Sequence, residues 1–515
     1  MISHIKTFYQ MYKKPFLVSL FLSCICYFLL INNQLTNGYD GLWEYSDYTA
    51  GYWELSLGRW FWLYIDQLRF GISTEPITSI ITLACYNIGL MLIIDLFKVT
   101  KKVSYILING LFITSVAVCS TLSYRYMSPT FGLSFLLNVL AAYLIIKFGH
   151  KKINVALAGV FVCLGMGAYQ ANIGCFALIV WGYFIYLLLR EKFCLKEFIT
   201  IGINFVLSSV IGAIFYIVGL KLHLTVFHTS LSGYNGANTY SIMNSIKNLF
   251  PSIKNTYLIF GNYYFGTEYK HTQFQEYGVF AIVFSVLLIL CVVKIVCLLR
   301  KKKWISLLVI PFVLSLPIAC NIVFLISTNV GLAVQMTVPL AMCIPILLCV
   351  VGEIDFSSKH MKIYRCFCML VIAFVLYGSF YQIQLDQNAM LEGKIATTSL
   401  AEQITHTLIS EDYVDSEYDY CIIGTPAGNE LFSVSSLYNK ANYYADFGCW
   451  WIDNGNSIKS WRSVFYHLCG IDLNFCSPTR YNEINSMEEV KDMSCYPNTD
   501  SIKQIDNTIV IKVSE

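Results

Sequence analysis

Four acidic side chains, Asp40, Glu44, Asp47 and Glu54, follow one another over a short stretch of chain, and Arg59 comes just after them. Trp43, Trp53, Trp60 and Trp62 are interleaved among them. A positioned carboxylate takes the proton from a hydroxyl that is about to attack. A guanidinium grips phosphate oxygens in a two-pronged fashion. Indoles settle at a membrane–water boundary. Together these groups suit chemistry on a sugar phosphate held in a membrane.

Asp40 is the first candidate for the base, because it stands just past the first apolar segment, where a lipid head group would be met. Asp40-Gly41 is also a common turn pair, so a purely conformational role is the plainer reading. Glu44 and Asp47 are the next candidates. Arg59 is the first candidate for a donor phosphate, and Arg125 the second. Arg125 stands in Ser123–Pro129, where positive charge is otherwise rare. A lone arginine there also suits a snorkelling anchor. Tyr39, Trp43, Glu54 and Tyr124 are the candidate substrate neighbours of these groups. Gln170 and Gln335 are uncharged polar groups near helix ends, suited to a substrate or, more commonly, to a neighbouring helix. Tyr264 and Glu268 belong to Asn262–Glu268, whose tyrosines and asparagine suit stacking on a sugar ring and bonding to its hydroxyls; interfacial tyrosines in a solvated connector fit equally well.

The elements that must position these residues are mostly apolar. The chain has 515 residues, of which 56% are hydrophobic and 13% charged, where a soluble domain carries about 25% charged. Apolar runs near 16–31, 77–97, 103–121, 130–148, 153–170, 172–189, 199–220, 277–299, 305–326, 332–351 and 366–382 give about eleven spans of a bilayer core about 30 Å thick. The fifth and sixth meet in a tight turn at Gln170-Ala171-Asn172.

Basic residues test that count, because cytoplasmic loops collect them. With the N-terminus inside, Lys13, Lys14, Lys98, Lys101, Lys102, Lys147, Lys151, Lys152, Arg190, Lys301, Lys302, Lys303, Lys359 and Arg365 all fall on one side. An odd number of spans then sends the C-terminal tail outside. The first segment follows a basic start but lacks a small-x-small site, so it reads as a span and not as a cleaved leader.

The sequence therefore divides into a helical membrane domain, 1–382, with outer loops 32–76 and 223–276, and an extracytoplasmic α/β domain, 383–515. In the first loop Trp53, Leu57, Trp60, Phe61, Tyr64 and Leu68 recur at helical spacing, with Arg59, Asp66 and Arg69 opposite. That pattern predicts one amphipathic helix lying along the membrane. In the second loop Ser232–Asn238 reads as a Gly/Asn-rich turn, and His223 and His228 are not spaced as a metal pair. The tail predicts strands at 420–424 and 508–513 and helices near 393–409 and 457–468. Gly424–Asn429 follows a strand without the Lys-Ser/Thr of a phosphate loop. Of 19 cysteines, five lie in the tail. An odd number cannot all pair internally; the spacing admits a Cys469–Cys476 bridge. No zinc-ligand spacing occurs, and no residue pattern calls for a nucleic acid.

Asn37-Gly38-Tyr39-Asp40-Gly41 followed by Ser56-Leu57-Gly58-Arg59-Trp60 resembles the start of the GtrII-type glucosyltransferases. So do Ile72–Pro76, leading into the second span, and Gly167-Ala168-Tyr169-Gln170, ending the fifth. The tail segments Met493–Pro497, Ser501–Lys503 and Ile509–Lys512 are similar to those of Gram-positive members. That family is similar to the polytopic glycosyltransferases of the GT-C class. The resemblance implies a multi-helix membrane fold in the plasma membrane, a polyprenyl-phosphate-linked sugar donor, a catalytic acid in the first outer loop, and a cell-surface glycan as acceptor. Tyr39-Asp40 stands where many members carry two adjacent acidic residues. No cofactor is indicated, and a divalent metal is compatible but unsupported.

The reading that follows is an inverting, outer-face glycosyltransferase with an aspartate base, whose tail helps bind the acceptor polymer. A glycan polymerase or ligase is the alternative enzyme. A lipid-linked sugar flippase or an assembly subunit is the non-enzymatic alternative. Few ionisable groups fall within the spans, which argues mildly against a pump.

Overall fold

In the computed structural model, residues 2–234, 247–326, 332–352, 359–414, 417–452 and 455–515 are described. Much of the Ser232–Asn238 turn lies outside the described residues. Each of the eleven apolar runs holds helix, but not always one straight helix. Among the described residues, seven helices are long and apolar enough to cross a membrane, or eight if the bent pair Lys102–Ile113 and Val116–Ser123 is one span. That pair bends by 48° at Thr114-Ser115, where Ser115 Oγ caps the second helix by accepting from Val118 N. The run at 305–326 is split into short helices, with Pro311 and Pro317 near the breaks. Lys152–Ala168 has 17 residues and falls just short of the span criterion.

The bundle core is continuous. Helix Ile77–Leu96 packs on Ser128–Phe148, which packs on Lys152–Ala168, which in turn packs on Leu195–Val226. At the end carrying most of the basic loops, Asp95 pairs with Lys147 at 3.0 Å and accepts from Tyr143 Oη at 2.6 Å. The turn expected between the fifth and sixth spans is present as the short 3-10 helix Gln170–Asn172.

The second outer loop is more ordered than its composition suggested. Leu249–Phe265 is a helix packed on the short helices that precede 326, so Asn262–Phe265 end a helix and do not lie in a flexible loop.

The last apolar run belongs to a helix of 52 residues, Lys359–Ser410, about 78 Å long at 1.5 Å per residue. The boundary expected at 382/383 falls inside it, and the helix near 393–409 is its continuation. Its far half carries the tail, whose sheet has the order Asp419–Ile423, Thr508–Lys512, Ile502–Ile505. The first pair is parallel and the second antiparallel. Asn456–Ser463 and the turn after it supply the expected helix. Cys476 lies against Cys421 in the core beside this sheet.

Buried polar contacts fix the tail on the bundle. Asp386 of the long helix is buried and accepts from Asn442 N at 3.0 Å, Asn442 Nδ2 at 2.9 Å and the Tyr444 hydroxyl. Lys270 of the second loop donates to Ala441 O at 2.7 Å and Asn439 O at 3.0 Å.

Candidate functional site

The segment carrying Asp40 is wedged between the bundle and the tail. Asn37 is fully buried. Its Oδ1 accepts from Tyr39 N at 2.9 Å and Gly41 N at 3.2 Å, an Asx turn that sets the direction of the next residues. Asn37 N donates to Ser123 O, and the Thr36 hydroxyl donates to the same carbonyl. A Cβ on Gly41 would stand 2.7 Å from Ser123 O, so only glycine lets the chain pass so close. One helical turn, Asp40–Trp43, follows. Its Leu42 is buried in the tail's core, and Trp43 Nε1 donates to Ser460 Oγ at 2.8 Å.

Arg59 arrives from the other side. The amphipathic helix expected through Trp53–Leu68 is two helices, Tyr52–Ser56 and Trp62–Leu68. Gly58 at φ +82° breaks it, a backbone state that glycine adopts freely. The expected apolar face is divided accordingly. Trp60 is buried against Gly167 and Gly219, while Trp53, Tyr64 and Leu68 remain exposed. Asp66 and Arg69 form an internal ion pair at 2.8 Å and are not a solvated face.

The Gly58 turn is held by the segment 167–170. Gly167 O accepts from Phe61 N at 2.9 Å. Gln170 Nε2 donates to Leu57 O at 2.8 Å, and the Tyr216 hydroxyl donates to Gly58 O at 3.1 Å. The Arg59 guanidinium lies 5.1 Å from the Tyr169 ring centre and 5.8 Å from that of Trp62. Its Nε is buried without a hydrogen-bond partner. The two motifs that stand far apart in sequence, 56–60 and 167–170, are thus one structure whose product is a cation caged by aromatic rings.

Asp40 and Arg59 lie within electrostatic reach of each other. Burial raises the Asp40 pKa above the ordinary carboxylate value, while its own backbone, Arg59 and Lys459 pull it down and Glu54 pushes it up. Glu44 is pushed up to about 7, by burial first and then by Glu54, with Asp40 and Asp47 adding and Lys459 opposing. Glu54 is buried; it accepts from Gly51 N at 2.8 Å and from the Tyr48 hydroxyl. Asp47 is exposed, and its backbone bridges to Ile72. The charges on Tyr124 and Tyr126 would feel Asp40, which places both phenols beside it.

Other candidates lie elsewhere. Arg125 is fully buried, with its guanidinium 4.1 Å from the Tyr45 ring centre and only long contacts, 3.4 and 3.5 Å, to Gln34. Its Nε and Nη2 have no hydrogen-bond partner, and its electrostatic neighbours are Tyr45 and Glu75. Tyr264 is buried in the bundle and donates to Leu340 O. Glu268 is exposed beside Tyr269, near the Lys270 contact with the tail. Neither Tyr264 nor Glu268 is brought to Asp40 by any contact described.

Two groups at the site come from the tail: Lys459, whose Nζ lies 4.9 Å from the Trp43 ring centre, and Trp451, whose ring centre lies 4.8 Å from that of Tyr39. More than four hundred positions separate them from Asp40, so no local pattern reveals them. Among the described residues no group of three or more His, Cys, Asp or Glu side chains is placed to hold a metal ion.

No curated protein and no solved structure matches the chain significantly. The family model for glucosyl transferase GtrII matches residues 27–350, which contain Asp40, Glu44, Arg59 and the segment 167–170 that holds Arg59 in place. That match covers more than half of the chain, and the chain belongs to the GtrII family of membrane glucosyltransferases.

Proposed function

We propose that this chain moves a glucosyl group from a polyprenyl-phosphate donor to a cell-surface glycan, at the outer face of the plasma membrane and with inversion. One observation carries the reading: Asp40 lies within electrostatic reach of two cations, Arg59 of the first outer loop and Lys459 of the tail, the latter placed over Trp43 of the same helical turn. A transfer of this kind breaks the bond from the anomeric carbon to the phosphate oxygen and forms a bond from that carbon to an acceptor oxygen. The acceptor proton goes to Asp40. The charge that develops on the departing lipid phosphate is met by Arg59, whose aromatic cage fixes the guanidinium before the donor arrives. Direct displacement from the face opposite the phosphate inverts the anomeric centre.

Supporting features are the continuous helical bundle and the basic loops, whose distribution favours a GT-C-like arrangement of about eleven crossings with the tail outside. The test is to purify the protein into lipid nanodiscs and supply polyprenyl-phosphate sugars and nucleotide sugars in parallel, with envelope glycan as acceptor. Loss of glucose from the polyprenyl-phosphate donor is the expected result. Use of nucleotide sugars alone, with the lipid donors untouched, would overturn the reading.

A further inference from the structure

We propose that Tyr39, Trp43 and Trp451 form a carbohydrate-binding platform that receives the acceptor glycan, with Lys459 at its edge. This rests on the glycosyltransferase reading above and says which face of the site each substrate uses.

The platform is built from two distant segments. Tyr39 and Trp43 flank Asp40 on the single turn Asp40–Trp43. Trp451 comes from the tail and lies with its ring centre 4.8 Å from that of Tyr39, tilted by 31°, with Trp43 edge-on at 6.5 Å. Trp451 and its neighbour Trp450 show what the tail does with its indoles. Trp450 is 5% exposed and fills the core, whereas Trp451 is 51% exposed. Leaving an indole half in water forgoes burial worth about 25 cal/mol per Å2. A flat apolar face of this kind fits the C–H-rich face of a pyranose, and exposed aromatic clusters mark binding surfaces.

Its position fits an acceptor and not the donor. The donor phosphate belongs with Arg59, in the cage of Trp62 and Tyr169 on the bundle. The platform lies on the tail side of Asp40. Tyr39 is the residue before Asp40 and Trp43 the third after it, so a sugar on the platform meets the short segment that carries the carboxylate. Lys459 lies over Trp43, and its ammonium acts on both Asp40 and Glu44. The cation there opposes the effect of burial on the base and offers a donor to a glycan oxygen. The tail is rigidly placed for this, because Asp386 and Lys270 fix its 439–444 strap to the bundle. The donor is thus bound by the membrane domain and the acceptor by the junction of loop and tail, with Asp40 where the two meet.

The experiment uses the full-length protein in nanodiscs and, as probe, envelope polysaccharide extracted from cells deleted for this chain. Two readouts are taken: polysaccharide binding by tryptophan fluorescence, and acceptor KM and kcat with the lipid-linked donor. Trp451→Ala is expected to weaken polysaccharide binding and raise acceptor KM about tenfold, with kcat lowered less than threefold. Trp451→Phe, which keeps a ring to stack, is expected to stay within threefold of the parent in both. Acceptor KM and binding unchanged in Trp451→Ala would overturn the platform. So would equal losses in the Ala and Phe variants, or a rise in donor KM alone. If the parent protein transfers nothing from any lipid-linked donor, the function reading fails, and the binding measurement still decides the platform.

Discussion

Asp40 and Glu54 share a field, and that makes the titration of Asp40 a test of the site. Removing the negative neighbour in Glu54→Gln lowers the Asp40 pKa, so the acid limb of kcat/KM moves to lower pH. Removing the positive neighbour in Lys459→Gln raises it, so the limb moves to higher pH. Opposite shifts of these two limbs, read from pH–rate profiles, are the expected result; shifts of the same sign would remove Asp40 as the titrating base. The two arginines, Arg59 half-buried and Arg125 buried, separate in the same way. Arg59→Met is expected to raise donor KM more than tenfold. Arg125→Met replaces a buried guanidinium that has only long hydrogen bonds by an apolar chain of similar length. Removing one member of a buried charge pair leaves the other uncompensated, here Glu75, so the thermal midpoint is expected to fall while donor KM stays within threefold. A large loss of donor affinity in Arg125→Met would give it the phosphate role instead. Among single residues the sequence conveyed much: an acid just past the first apolar run, and an arginine flanked by glycine and tryptophan. It did not convey Lys459 or Trp451, because contacts across four hundred positions leave no trace in local spacing.

The elements show where periodicity misleads. Leu57, Trp60, Phe61, Tyr64 and Leu68 keep helical spacing, yet Gly58 takes φ +82° and splits the helix, and Arg59 falls in the break between the two halves. A pattern of apolar residues does not register a single left-handed residue. Gly58→Ala tests the turn. A non-glycine residue in that region costs about 1–3 kcal/mol, and its Cβ would stand 2.6 Å from the Tyr216 hydroxyl and 2.9 Å from Gln170 Nε2. Both a lower thermal midpoint and a higher donor KM are expected. A lower midpoint with unchanged donor KM would show that the turn does not place Arg59. The apolar runs were legible as helices throughout, but their number as crossings was not. Composition does not see the bend at Thr114-Ser115 or the breaks around Pro311 and Pro317, and a run ending near 382 hides a helix that continues to Ser410.

At the scale of the whole molecule, the tail and the bundle act as one body across the site. The small mixed sheet in the tail was legible from its two β-rich runs. That the tail closes over the first outer loop was not, since burial of Leu42 in the tail's core is a tertiary fact. The proposed orientation rests on the basic loops and has its own check. Cys449 in the tail and Cys194 in the basic loop after Leu188 are both exposed. A membrane-impermeant maleimide applied to intact cells is expected to label Cys449 and spare Cys194. The reverse pattern would place the tail in the cytosol and the site on the wrong face for a cell-surface glycan. The most direct test of the account is the Asp40→Asn protein in nanodiscs with radiolabelled polyprenyl-phosphate glucose and envelope glycan. Donor binding within threefold of the parent, with transfer reduced about 100- to 10,000-fold, is the predicted outcome; transfer at the parental rate would contradict it.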